Sequence, residues 1–397
     1  MQQRKVEEQM GAEKVEKPRG VGRKALAFQS IFLCIAVCAL AFVACGGEDE
    51  KKTNTKGLTD INIDEWEEEV DPNNPVGLST VTVTPFAGST QGYGDGVGAA
   101  AKFDTMEGLA TDAAGNLYVA DSHNHCIRKV TPQGVVSTLA GGAEVAQDGM
   151  GSVAGFKFLH GITTDVEKKT LYVMSEDLFR ICEVTLEGDV NTLFGSSGSA
   201  NSIQGISMDA AGNLYVLLIN QIFKLALGDD RPRPFVGGGE NHVDGQGSEA
   251  GFGFPMDVTI DKAGNLYVVD ELRRNIRKVT PQGVTSVFAG GTDPYTNSGC
   301  ADGVGTAAKF RTPRGITIDE ADNLYVVDND CYSIRKVTPE GVVTTLAGRS
   351  GSRGGEDGSD TQGKGNRALF YSPEKIAADL SGNLYVTDND RIYKITF

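Results

Sequence analysis

Two carboxylates, an imidazole and a guanidinium hold equivalent places in a chain that otherwise repeats itself. Glu107, His160, Gln204, Met256, Arg314 and Glu374 each stand just before a Gly-Ile pair or its counterpart, and no single side-chain chemistry runs through all six positions. Such groups can close ion pairs, hydrogen-bond a polar ligand or carry a proton. No Gly-x-Ser-x-Gly elbow is present, so an activated serine is not among the chemistries on offer. His123, His125 and His242 have no pattern around them.

The frame that positions these residues is a repeated phrase. Gly115–Asp121 reads GNLYVAD, Gly212–Leu218 GNLYVLL, Gly264–Asp270 GNLYVVD, Asp322–Asp328 DNLYVVD and Gly382–Asp388 GNLYVTD, with a weaker KTLYVMS at Lys169–Ser175. Six copies spaced by about fifty residues indicate a propeller or solenoid. Each copy holds four short apolar segments rich in β-branched and aromatic residues and bounded by Gly, Asp, Asn or Pro, which read as strands a to d of one blade. The body begins at Val81–Gly88, the segment that follows Pro-x-Gly in the other copies, and ends at Ile392–Phe397, the segment that precedes it. The first strand therefore supplies the missing fourth strand of the last blade. The fold expected is all-β, a six-bladed β-propeller of four-stranded blades over residues 80–397, closed by pairing of the N-terminal strand with the last blade.

Composition agrees: 51 glycines in 397 residues suit a chain that turns often. A formal charge of −16 argues against nucleic acid as a partner, since phosphate binding needs a basic face.

Residues 1–45 read as a signal segment. A polar stretch ends in Arg23 and Lys24, a nearly all-apolar run covers Ala25–Ala44, and Phe42-Val43-Ala44-Cys45-Gly46 resembles a bacterial lipobox with Cys45 as the lipidated residue. Phe42 replaces the usual Leu of that motif. Glu48-Asp49-Glu50 resembles the acidic surface-export tag of Bacteroidetes lipoproteins, which implies an outer-membrane lipoprotein, periplasmic or surface-exposed. Residues 46–79, acidic and containing Trp66, read as a flexible tether.

The pattern P-x-G-I-x-x-D, G-N-L-Y-V-x-D, I-R-K-V resembles the NHL repeat, strongly in blades one, four, five and six and weakly in two and three. The resemblance implies the six-bladed propeller. The family includes extracellular sensor domains, binding modules and peptidyl-hydroxyglycine amidating lyases, so it does not imply one function. In those lyases metal-binding histidines occupy the position before strand a's Gly-Ile in three blades. Here only His160 keeps that identity, with Glu107 and Glu374 at the adjacent positions of the closed ring, a set that suits Zn or Ca. The same residues read equally as a polar ring contacting a ligand, as ion pairs with Arg314, or as a water-filled mouth.

The long connections run from strand d to the next strand a and share the phrase DGxGxxAxF, with Asp95, Asp148, Asp244, Asp302 and Asp357 and with Phe103, Phe156 or Phe158, Phe252 or Phe254, Phe310 and Phe370. One Asp per loop is too few for calcium, so each reads as an Asp-Gly turn with Phe wedged between blades. Asp121, Asp270, Asp328 and Asp388, which end strand b, are expected to bond local backbone. Cys300 and Cys331 fall in two loops of one blade on one face and are expected to form a disulfide, while Cys126 and Cys182 stay open. Two functions follow: a lipid-anchored, extracytoplasmic binding propeller taking a glycan, peptide or partner protein on its loop-rich face without a cofactor, or a metal-dependent lyase or hydrolase at the channel mouth.

Overall fold

The computed structural model describes residues 80–176, 179–196, 203–239, 243–293, 298–355, 358 and 361–397. The signal segment with Cys45, the tether with Trp66, and His242 and Asp357 lie outside the described residues.

Six antiparallel sheets make six blades. Strand a is Met106–Thr111, Leu159–Asp165, Ile203–Met208, Pro255–Ile260, Pro313–Ile318 and Pro373–Ala378 in blades one to six. Strand b carries the repeated phrase, and in blades one, four, five and six all five of its residues are buried. A strand covered on both faces has no solvent side to alternate toward, so the phrase is a continuous apolar run. The expected closure is present. Thr82–Ala87 pairs antiparallel with Arg391–Thr396, Thr82 opposite Thr396 and Val83 opposite Ile395, and is strand d of blade six.

Five blades have one strand more than expected. A two-residue strand inside each Asp-Gly loop, such as Gly303–Val304, pairs with the outer strand of its own blade, Gly303 opposite Val343. Two residues hold too little apolar pattern to read as a strand, and only the partner's exposed edge makes them one. Blade three has four strands among the described residues.

The phrase also builds the a-to-b turn. Asp319 Oδ1 accepts from the backbone N–H of Ala321 and Asn323, while its Oδ2 accepts from the Asn323 amide at 2.9 Å and from Tyr325 OH at 2.9 Å. Asn and Tyr of the phrase thus close onto one carboxylate, and Asp112, Asp209, Asp261 and Asp379 repeat the arrangement. The turn needs a left-handed residue; Gly264 supplies it at φ 82°, and Asp322 takes the same conformation at φ 60° in blade five.

The Asp-Gly loops are tied down by strand c. Arg128, Arg180, Arg277 and Arg335 donate to Asp95, Asp148, Asp244 and Asp302 at 2.6 to 2.7 Å. Arg128, Arg277 and Arg335 also lie over Phe103, Phe252 and Phe310. Phe156 and Phe252, not Phe158 and Phe254, are the wedged rings, each fully buried like Phe103, Phe310 and Phe370. Arg180 reaches its loop from two residues earlier in strand c, and at the position of Arg128, Arg277 and Arg335 blades two, three and six have Cys182, Phe223 and Tyr393.

Candidate functional site

The six strands a pack side by side around the axis, so the residues before the Gly-Ile pair come together at one mouth. The following residue sets how closely the strands approach. A Cβ on Gly108 would lie 2.6 Å from the His160 carbonyl oxygen, and one on Gly315 2.6 Å from that of Glu374. Blades four and six put Asp257 and Lys375 at this position. Both face a channel cavity of about 20 Å³, also lined by Glu107 and Gln204, with room for a single water. Neither residue is singled out by the repeat phrase; the signal was the exchange of Gly, present at 108, 161, 205 and 315, for a charge in two copies.

Asp257 accepts from its neighbour Val258 N at 2.9 Å and from Ile316 N of the next blade at 3.2 Å. Burial pushes its carboxyl above the usual range, against the pull of Lys375 and these two N–H groups. Lys375 is buried, and among the described residues its ammonium makes no hydrogen bond or ion pair within 4.0 Å.

Around the mouth four of the six predicted residues, Glu107, His160, Arg314 and Glu374, interact with one another. Arg314 Nη1 donates to Glu374 Oε1 at 2.6 Å, and its Nε lies 3.7 Å from Glu271 Oε2. Burial raises the pKa of both Glu374 and Glu271, and Arg314 opposes this in each. Burial lowers that of His160; the charges of Glu107 and Glu176 oppose the shift and Lys375 reinforces it. Glu176, unmarked by any motif, sits in the b-to-c loop with Oε2 3.9 Å from His160 Nε2. Met256 departs from the polar ring and packs against the apolar cluster between blades four and five, because its side chain finds Tyr267, Ile316 and their neighbours there. Among the described residues no three His, Cys, Asp or Glu side chains are grouped to hold a metal ion. Glu107, His160 and Glu374 are not brought together as such a group, and Glu374 Oε1 is paired with Arg314 Nη1.

A second ring lies outside the first. The carboxylates ending strand b accept from the backbone just before strand a: Asp121 from Asp104 N at 2.8 Å, Asp270 from Gly253 N at 2.7 Å and Phe254 N at 2.9 Å, Asp328 from Thr312 N at 2.9 Å, and Asp388 from Ser372 N at 2.6 Å. They bond backbone, as expected, and in doing so present Asp104, Phe254, Arg311 and Tyr371 on the loop face. Between blades four and five this ring borders a cleft of about 340 Å³ lined by Phe254, Glu271, Leu272, Arg274, Arg311 and Thr312. Elsewhere on the face His123 and His125 pack against Phe158, ring centroids 6.0 and 5.8 Å apart.

A disulfide joins Cys300 to Cys331 with a Cα separation of 5.7 Å, tying the loop that carries Arg311 to blade five. Cys126 and Cys182 are buried and in no disulfide, and burial pushes the Cys126 thiol far up.

Comparison with known proteins gives the NHL repeat model over residues 105–130 and the Teneurin NHL domain model over residues 291–358. NHL repeat-containing protein 2 of Homo sapiens is 27% identical over 325 residues, covering 77% of this chain; the aligned part is 40% of that protein's length. A solved structure of a protein of unknown function from Bacteroides thetaiotaomicron matches with a TM-score of 0.64 at 22% identity over 80% of this chain and 76% of that one. An auxiliary nutrient binding protein from the same organism matches with a TM-score of 0.60 at 21% identity over 80% of this chain and 76% of its own. At these identities the two structures establish the fold alone.

Proposed function

Because this chain is an NHL-repeat six-bladed β-propeller, we propose that it is a binding module, anchored in the outer membrane by a lipid on Cys45 and recognising an extracytoplasmic glycan, peptide or partner protein on its loop-bearing face. The carrying observation is the contrast between face and axis. The channel cavity lined by strands a holds about 20 Å³, while the face opens a cleft of about 340 Å³ between blades four and five. A ligand is therefore held across the loops and the mouth, where Glu107, His160, Gln204, Arg314 and Glu374 meet it. That a structurally similar protein is described as nutrient binding agrees with this reading.

The test is a binding screen of the full chain against arrayed glycans and peptides, repeated with Arg314→Ala and Glu107→Ala combined. Loss of affinity for the captured ligand is expected; unchanged affinity would remove the mouth from the binding surface. For the anchor, metabolic labelling with a radioactive fatty acid should mark the wild-type chain and not Cys45→Ala. Protease treatment of intact cells should digest the body if it faces outward.

A further inference from the structure

We propose that the cleft between blades four and five is a subsite for a saccharide bearing a carboxylate, a hexuronate unit, an assignment that rests on the binding function above and narrows it. Its charge is the first ground. In a chain of formal charge −16, Arg274 and Arg311 both line this cleft. The one carboxylate in its wall, Glu271, faces Arg314 at 3.7 Å, and burial raises its pKa. Arg311 is exposed, and among the described residues its guanidinium makes no hydrogen bond or ion pair. A planar guanidinium left open in this way matches a carboxylate in two-point geometry.

The second ground is what the backbone withholds. Six of the wall's main-chain N–H groups are engaged: Gly253 N and Phe254 N on Asp270, Arg311 N and Thr312 N on Asp328, Glu271 N on the Phe254 carbonyl and Arg274 N on the Glu271 carbonyl. An extended peptide binds chiefly through main-chain hydrogen bonds to such groups, and here these six are already taken. A saccharide is met by side chains, and this cleft offers them. Phe254 and Leu272, 37% and 55% exposed, present apolar surface to the carbon face of a sugar ring beside the charged groups.

Both walls are also fixed before any ligand arrives. Asp270 and Asp328 hold the segments before the two strands a, and the Cys300–Cys331 disulfide holds the loop leading to Arg311. A site already ordered loses little freedom on binding.

Calorimetry of the full chain with a galacturonate trisaccharide, its fully methyl-esterified form and a penta-peptide containing two glutamates decides the matter. The acid trisaccharide should bind at least about tenfold tighter than the ester, and Arg311→Glu should erase the difference while the fold, followed by circular dichroism, is unchanged. Equal binding of acid and ester, indifference to Arg311→Glu, or binding of the peptide in place of the sugar would each overturn the assignment. Should the array capture another ligand whose affinity depends on Arg314 and Glu107 but not on Arg311, the binding function stands and this subsite falls. If no arrayed ligand and no trisaccharide binds, both fall together.

Discussion

Arg335 Nη2 sits 2.7 Å from Asp302 Oδ1 while its Nη1 lies 3.4 Å from Asp328 Oδ2, so one fully buried guanidinium joins the Asp-Gly loop to the end of strand b. Asp328 in turn holds the backbone before strand a. Arg335→Ala would leave Asp328, fully buried, without its cation. We expect a loss of about 3–5 kcal/mol in chemical denaturation. Arg233→Ala, which breaks a surface pair with Asp230, should leave the midpoint nearly unmoved. Equal effects from the two would show that the clamp does not hold the blade.

Asp257 and Lys375 line the same channel cavity, and the Lys375 charge pulls against the effect of burial on the Asp257 carboxyl. Either single change, Asp257→Ala or Lys375→Ala, should destabilise the ring, and the double change should cost less than the two singles added. The coupling expected is on the order of 0.5–3 kcal/mol from a thermodynamic cycle. Strict additivity would mean that the two charges are compensated separately.

His160 titrates below the ordinary imidazole value of about 6.5 because burial disfavours its charged form. The sign follows: the folded state holds the neutral ring, so the stability it contributes is present above about pH 6.5 and is lost as pH falls toward the folded pKa. Glu107 pulls in the opposite direction. Replacing it in Glu107→Gln should therefore lower the His160 pKa further, as read from the ring resonances by NMR. An upward movement would contradict the placement of Glu107 beside it.

The disulfide closes a separation of 31 residues, for which chain entropy gives about 3–4 kcal/mol. Cys300→Ser with Cys331→Ser should lower the unfolding free energy by that order and loosen the loop that carries Arg311. Hydrogen exchange at residues 298–312 should rise first. If exchange there is unchanged, the loop is held by its Asp302 and Asp328 contacts alone.

The ring was legible because its signals are local and repeated. Gly-Asn-Leu-Tyr-Val marks strand b wherever the chain must turn on an Asp and bury five residues in a row, and the reversed ends around Val83 and Ile395 announced the closure. The two-residue outer strands were not legible, since Gly303 and Val304 have no pattern of their own and become a strand only against Val343. The mouth was located by register, and the Arg314–Glu374 pair fell within the ion-pair reading. Met256 was harder: position in the repeat says that a residue reaches the mouth, not whether its side chain turns outward or into the neighbouring blade. Asp257, Lys375 and Glu176 stand at places where the repeat pattern attaches no meaning to a charge, and only the packing of six strands gives them one.

The pairing of Thr82 with Thr396 also orders events in time. Strand d of blade six is the first strand of the body to leave the ribosome, and its partner is the last. Until Ile395 is made, Val83 has no neighbour on that side and the sixth sheet cannot be completed. Closing a contact over more than three hundred residues is a slow step that follows assembly of the local hairpins. The same arrangement makes the finished domain insensitive to fraying, because neither end can peel away without opening a sheet that holds the other.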